Sequence, residues 1–143
     1  MEVTKDGFEI STDKSRLQFD VIQRFLEEES YWAANRTPQQ TLTAIENSIC
    51  FGLYHVERQI GFGRVVSDLA TFAYLGDIFV IPEFRGRGLS KWLMETIVSH
   101  PDLQGLRRWV LATRDAHGLY EQYGFGPLRF PDRWMEKAAA NAY

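Results

Sequence analysis

The sequence has a single cysteine, Cys50, in 143 residues, so no internal disulfide can form. Packing and hydrogen bonding must hold the fold, and this cysteine usage is compatible with a reducing cytoplasm. Cys50 lies in the apolar run Ile49-Cys50-Phe51, which predicts a buried, inert thiol. Histidine is scarce too. His55, His100 and His117 are scattered without metal-ligand spacing, so no metal site is expected, and His55 and His100 are expected to be solvated. No apolar run approaches the roughly 18 residues of a membrane-spanning helix. Met1 to Ser11 lacks the basic region and apolar stretch of a secretory leader. The expected location is cytoplasmic, with no membrane partner. Basic excess is also missing: 16 Lys and Arg face 19 Asp and Glu, a net charge of −3. That argues against nucleic acid, whose phosphates call for a basic face, and suits a cationic acceptor only weakly. No internal repeat, linker or low-complexity block appears apart from a short tail from Lys137 to Tyr143, so residues 1–143 read as one domain.

What is present suits a packed core: 45% hydrophobic residues, with ten Phe, six Tyr and four Trp. Asp13 to about Tyr31 has the helical period, with Leu17, Val21, Ile22, Phe25 and Leu26 on one face. A second helix starts at Thr37, an N-cap followed by Pro38 and completed as a capping box by Gln40, with Leu42 and Ile45 as its buried side. Ser48 to Val56 and Gln59 to Ser67 read as a hairpin turning at Glu57-Arg58, and Thr71 to Ile81 as a long strand in which Gly76 suggests a bulge or bend. Arg87 to Ser99 is the clearest helix, with Leu89, Trp92, Leu93, Thr96 and Ile97 at core spacing. Arg108 to Thr113 predicts a strand, and Ala116 to Tyr123 a short helix turned out at Gly124. Phe125 to Phe130 and Arg133 to Lys137 could pair as a last hairpin. The order predicts a mixed α/β domain with one central sheet.

The chemistry concentrates in the stretch from Asp77 to Ser90. There a strand ends, a turn rich in Gly and Arg follows, and an amphipathic helix begins. The first amides of a helix lack internal partners and its dipole makes that end positive, which describes a cradle for phosphate or pyrophosphate. A Walker loop is absent, because no Gly-x4-Gly-Lys-Ser/Thr occurs. A dinucleotide fingerprint fails as well, because Lys91 stands at the third glycine position. Arg85-x-x-Gly88-x-Ser90 nearly meets a third pattern, Arg/Gln-x-x-Gly-x-Gly/Ala.

Val80-Ile81-Pro82-Glu83-Phe84-Arg85-Gly86-Arg87-Gly88-Leu89 resembles the acetyl-CoA motif of the GNAT superfamily of N-acetyltransferases. About 30 residues on, Leu119-Tyr120-Glu121-Gln122-Tyr123-Gly124-Phe125 resembles the second signature of that family. The resemblance runs from about Gly61 to Phe125 and implies a single GNAT-like domain. Its central mixed, mostly antiparallel sheet would be flanked by helices, with a splayed strand at the acyl-CoA site. Two positions depart from the pattern: Ser90 replaces Gly or Ala, and Thr113 stands where many members have Asn. The resemblance implies acetyl-CoA as acyl donor. Backbone groups of Ile78, Phe79 and Val80 would pair with the pantetheine arm. The amides of Gly86, Arg87, Gly88, Leu89 and Ser90 would hold the pyrophosphate, with charge from Arg85 and Arg87 and a contact from Thr113.

The implied reaction is direct attack of a primary amine on the thioester in a ternary complex. Tyr120 matches the general acid of the family, with Tyr123 as fallback. Asp77, inside an apolar strand where burial would raise its pKa, is the candidate base, with Tyr74 and Asp68 behind it. The acceptor, a small-molecule amine or a peptide amine, would meet some of Tyr31, Trp32, Asn35, Arg36, Arg64 and Tyr74, and a homodimer is compatible with the resemblance. A catalytically silent acyl-CoA sensor or scaffold, and an unrelated nucleotide-binding domain, are the other readings the sequence leaves open.

Overall fold

The computed structural model describes residues 1–142. Six strands form one sheet in sequence order: β1 (Glu2–Lys5), β2 (Phe8–Ser11), β3 (Ile49–His55), β4 (Arg58–Ser67), β5 (Phe72–Val80) and β6 (Arg108–Val110). Pairing is antiparallel from β1 to β5 and parallel between β5 and β6. Helices α1 (Phe19–Glu28) and α2 (Pro38–Glu46) bring Ile22, Phe25, Leu26 and Ile45 against Cys50, Phe62 and Phe79 on one face of the sheet. Helix α3 (Leu89–Val98) packs Leu89, Trp92, Leu93, Met94 and Ile97 against Phe51, Leu53, Ile60, Val65 and Leu75 on the other. The short α4 (His117–Glu121) follows β6, and Gly124 adopts a φ of 90° just beyond it.

Helix α3 and the Thr37 capping box form as the residue pattern predicts. Differences elsewhere have identifiable physical causes. The first helix does not begin at Asp13: that residue caps a separate 3-10 turn over Lys14–Arg16. Gln18 is then held extended by reciprocal bonds with Gln59, each backbone N–H donating to the other's side-chain oxygen at 2.7 and 3.0 Å. On α2 the buried pair is Thr41 and Ile45, while Leu42 is exposed. His100 is buried, its Nδ1 accepting from the Asp102 N–H and its ring edge-on to Phe51. The Met1–Ser11 segment, to which no element is assigned above, forms the β1–β2 hairpin around Asp6-Gly7, an Asp-Gly turn with both residues at positive φ.

The expected last hairpin is absent from the described residues: Pro131–Arg133 forms a 3-10 turn and the chain around it carries no strand. Residues 126–141 are exposed throughout, so neither candidate strand has a face to bury, and a hairpin without one is marginal in water. Arg108 and Arg133 instead cover the rings of Trp134 and Phe130.

Candidate active site

Strand β5 changes phase in its middle. Arg64 on β4 pairs with Gly76 and Phe62 pairs with Phe79, so Gly63 faces two residues, Asp77 and Ile78. This is a β-bulge, and Asp77 at its first position has a φ of 55°, a left-handed conformation that Asp tolerates better than most residues. Because strand side chains alternate, the extra residue reverses the faces beyond it. Ala73 and Leu75 join the α3 side of the core, and so does Val80, whereas Phe79 turns to the α1 side and stacks on Phe25 at 4.0 Å between centroids. Without the bulge, Asp77 would share the face of Ala73 and Leu75. The expected bend lies one residue beyond Gly76, and Gly63 makes room for it: a Cβ there would lie 2.7 Å from Ile78 Cδ1 and 2.9 Å from Ile97 Cδ1.

The same strand parts from its neighbour. Pairing with β6 ends at Tyr74 and Val110, while β5 runs on to Val80. The gap opens into a cavity of about 680 Å³, lined on one wall by the run from Tyr74 to Val80 and on the other by Leu111 to Ala116, Leu119 and Tyr120. Arg85, Ser90, Glu29, Tyr31, Trp32, Arg36 and Arg64 also line it. Gly86, Arg87, Gly88 and Leu89 are not on its wall; they form the turn beside Arg85 and Ser90. Gly86 and Gly88 have φ values of 79° and 75°, and Gly88 is the N-cap of α3 without a side-chain cap. The opening amides of α3 therefore remain available to an anion. A Cβ at Gly86 or Gly88 would meet nothing within 4 Å, so glycine is required there for backbone conformation rather than for space. The Arg85 Nε–H donates to the Val80 carbonyl at 3.1 Å, Arg87 lies over the Phe84 ring, and the Leu89 side chain is in the core.

Asp77 differs from expectation in its electrostatics. Its side chain is only 2% exposed and takes four hydrogen bonds. Arg36 donates to both oxygens at 2.7 and 3.1 Å, Arg64 Nε–H at 2.8 Å, and the Trp32 indole N–H at 2.9 Å. Burial pushes the carboxyl pKa up, but Arg36 and Arg64 together outweigh it and leave the pKa lowered. The expected rise from burial is overturned: Asp77 is a saturated carboxylate with its lone pairs occupied. Asp68 sits apart from the cavity in the β4–β5 turn, where the N–H groups of Ala70, Thr71 and Phe72 and the Thr71 hydroxyl all donate to it.

Tyr120 faces the cavity from α4. Burial, then Tyr31 and Asp115, push its phenol up to about 12, so it stays protonated near neutrality. Tyr123 instead donates to the Lys91 carbonyl at 2.9 Å and ties α4 to α3. The Thr113 hydroxyl accepts from the Ala116 N–H at 3.1 Å and so shapes the loop that opens α4. Tyr31 spans the cavity mouth: its hydroxyl accepts from the Arg114 N–H at 2.6 Å, and the Arg114 guanidinium lies over its ring. Cys50 is buried, its thiol pushed up to about 11 by burial first of all.

Of the residues expected around an acceptor, Tyr31, Trp32, Arg36, Arg64 and Tyr74 line the main cavity, while Asn35 lines a smaller one of about 360 Å³ behind Arg36 and Arg64. The pairing of Asp77 with two arginines was not legible in the sequence, although Arg64 and Asp77 stand as opposite charges inside two adjacent apolar strands. Glu29, the exposed C-cap residue of α1, also lines the cavity, a position that no sequence pattern marks.

Comparison with known proteins agrees with this architecture. The family model described as an acetyltransferase (GNAT) domain matches residues 46–127. A candidate acetyltransferase from Gibberella zeae is 34% identical over 139 residues, covering 82% of this chain and 77% of that protein. The crystal structure of a candidate acetyltransferase of the GNAT family from Xanthomonas campestris pv. campestris is 51% identical, with a TM-score of 0.92 over 95% of this chain and 96% of that one. A Clostridium acetobutylicum protein assigned as an acetyltransferase and solved with acetyl-CoA shares the fold, at 14% identity and a TM-score of 0.63 over 92% of this chain and 94% of that one. These matches establish that the chain belongs to the GNAT family of acetyltransferases.

Proposed function

We propose that the protein transfers an acetyl group from acetyl-CoA to a primary amine by direct attack in a ternary complex. The observation that carries this reading is the cavity cut between β5 and β6, which brings open strand backbone, the start of α3 and the Tyr120 phenol to one space. The pantetheine arm takes the place of a missing strand along Ile78, Phe79 and Val80. The pyrophosphate lies on the turn from Gly86 to Ser90, with Arg85 at its edge and Thr113 across the gap.

The amine nitrogen attacks the thioester carbonyl carbon. A C–N bond forms, the carbonyl oxygen becomes an oxyanion facing the Val80 amide, and the C–S bond then breaks. The departing thiolate, with an ordinary pKa of roughly 8.5, receives a hydrogen bond from Tyr120. A phenol pushed to about 12 keeps its proton against such a thiolate, so Tyr120 stabilises the leaving group and solvent protonates it. Asp77 serves as a positioning residue for Arg36 and Arg64, because a carboxylate saturated by four donors cannot take the amine proton. That proton leaves to water on the exposed side of the cavity, where Glu29 lies.

The test is thiol release from acetyl-CoA by purified protein, across amines, amino acids, aminoglycosides and short peptides. Release that depends on one amine class supports the transferase and names its acceptor. Binding of acetyl-CoA with no release from any acceptor would reject it.

A further inference from the structure

Arg36, Asp77 and Arg64 form a cluster whose charges do not cancel. Two guanidiniums share one carboxylate, and their side chains are 22% and 11% exposed. Arg36 donates through both terminal nitrogens to Asp77; Arg64 donates to Asp77 and, from its terminal nitrogen, to the Ser48 hydroxyl at 3.1 Å. These bonds leave the larger part of each donor fork without a partner among the described residues. Glu29 and Asp115 line the main cavity but form no ion pair with either arginine. Arg36 and Arg64, with Trp32, lie on the walls of both cavities, so their outer donors border open space on two sides.

Position adds to charge. Asp77 is the bulge residue of β5, next to Ile78, so the cluster adjoins the stretch where the strand parts from β6. An excess cation with unused donors, partly buried and bordering two cavities, is suited to a planar or tetrahedral oxyanion.

We propose that the acceptor carries an oxyanion, carboxylate or phosphate, beside its amine, and that Arg36 and Arg64 receive that group while Asp77 fixes their forks. This rests on the transferase reading and narrows it to amino acids, peptides presenting a terminal carboxylate, or aminoalkyl phosphates. Asp77 holds the two cations close in the unliganded protein, and the incoming oxyanion supplies the second negative charge.

The experiment has two arms. The first measures thiol release with acetyl-CoA and matched acceptors: each standard amino acid against its carboxamide and its decarboxylated amine, and O-phosphoethanolamine against ethanolamine. The expected result is a kcat/KM at least ~10-fold higher for the oxyanion-bearing member, the scale of a charge-assisted hydrogen bond. Arg36→Gln is expected to erase that difference mainly through KM. The amino-acid and phosphate sets separate carboxylate from phosphate. Equal rates for an amino acid and its carboxamide, and for phosphoethanolamine and ethanolamine, would overturn the inference and leave the transferase standing.

The second arm needs no turnover. The Trp32 indole N–H resonance, assigned with Trp32→Phe, is followed on the CoA-loaded protein, which has no acetyl group to transfer, during titration with N-acetylglycine, N-acetylglycinamide and O-phosphoethanolamine. A shift with an oxyanion but not with the amide, lost in Arg36→Gln, supports the inference even if no acceptor releases thiol. No shift with any probe overturns it, whatever the turnover arm says of the transferase.

Discussion

Replacing Asp77 by Asn keeps the shape of the side chain and removes its charge. One of the two positions that now accept from arginine becomes an NH2 group facing a donor. The Arg36 and Arg64 cations are left in a partly buried site with one carbonyl between them. Breaking a buried ion pair by removing one partner costs roughly 3–5 kcal/mol. Both arginines keep some contact with water, so the lower figure, about 3 kcal/mol, applies. For a chain of this length that corresponds to a fall in Tm of roughly 6–12 °C. Urea denaturation of wild type and Asp77→Asn at neutral pH measures the loss directly.

The pH dependence gives an independent check. The folded pKa of Asp77 lies below its unfolded value of about 3.9. Its stabilisation is therefore fully present above about pH 5, and is lost as pH falls through the folded pKa. The stability gap between the two proteins is expected to be flat from pH 5 to 8 and to close on acidification. A loss below about 1 kcal/mol, or a gap that acid leaves unchanged, would refute the reasoning, because the cluster would then be no better than a solvated pair. The variant also separates positioning from proton transfer. A positioning role raises the acceptor KM more than it lowers kcat and keeps the acid limb of the pH–rate profile, whereas loss of a base removes that limb.

Tyr120→Phe is expected to lower kcat by ~10–100-fold with little change in acetyl-CoA Kd, checked by steady-state kinetics beside calorimetry. Unchanged turnover would remove the phenol from the reaction. Gly88→Ala meets no steric obstacle but places a Cβ at a φ of 75°, so a stability loss of about 1–2 kcal/mol is expected, together with weaker acetyl-CoA binding as the turn distorts. Denaturation and calorimetry on the same samples read both. Gly63→Ala drives a methyl into Ile78 and Ile97 opposite the bulge; a loss of about 1–3 kcal/mol in urea denaturation is expected, with more thiol activity lost than stability alone explains.

Much of this protein can be read from its residues because local signals and tertiary packing agree. The capping box at Thr37 and the core stripe of α3 are local patterns that the structure keeps. The Gly86–Gly88 turn likewise sits at a helix start. The start of the first helix escapes the residue pattern because Gln18 is captured by Gln59, a partner far along the chain that no period reveals. The charge state of Asp77 escapes it for the same reason. Its burial is evident from the apolar strand around it, but the arginines that reverse its pKa come from Arg36 before α2 and from Arg64 on the neighbouring strand. The β1–β2 hairpin is signalled by Asp6-Gly7, but its flanking strands are only four residues each and mix charged with apolar side chains, so their alternation is weak.

The phase change in β5 also sets which length changes the strand can absorb. Loss of one residue from Gly76 to Ile78 would remove the bulge and leave a single alternation in which Phe79 still faces α1 and Val80 still faces α3, at the cost of the position that turns Asp77 toward Arg36 and Arg64. Loss of two would reverse Phe79 and Val80, because no bulge residue would remain to offset it. A one-residue deletion here is therefore expected to leave the core seated while dissolving the cluster of Arg36, Asp77 and Arg64, and a two-residue deletion to unseat the core.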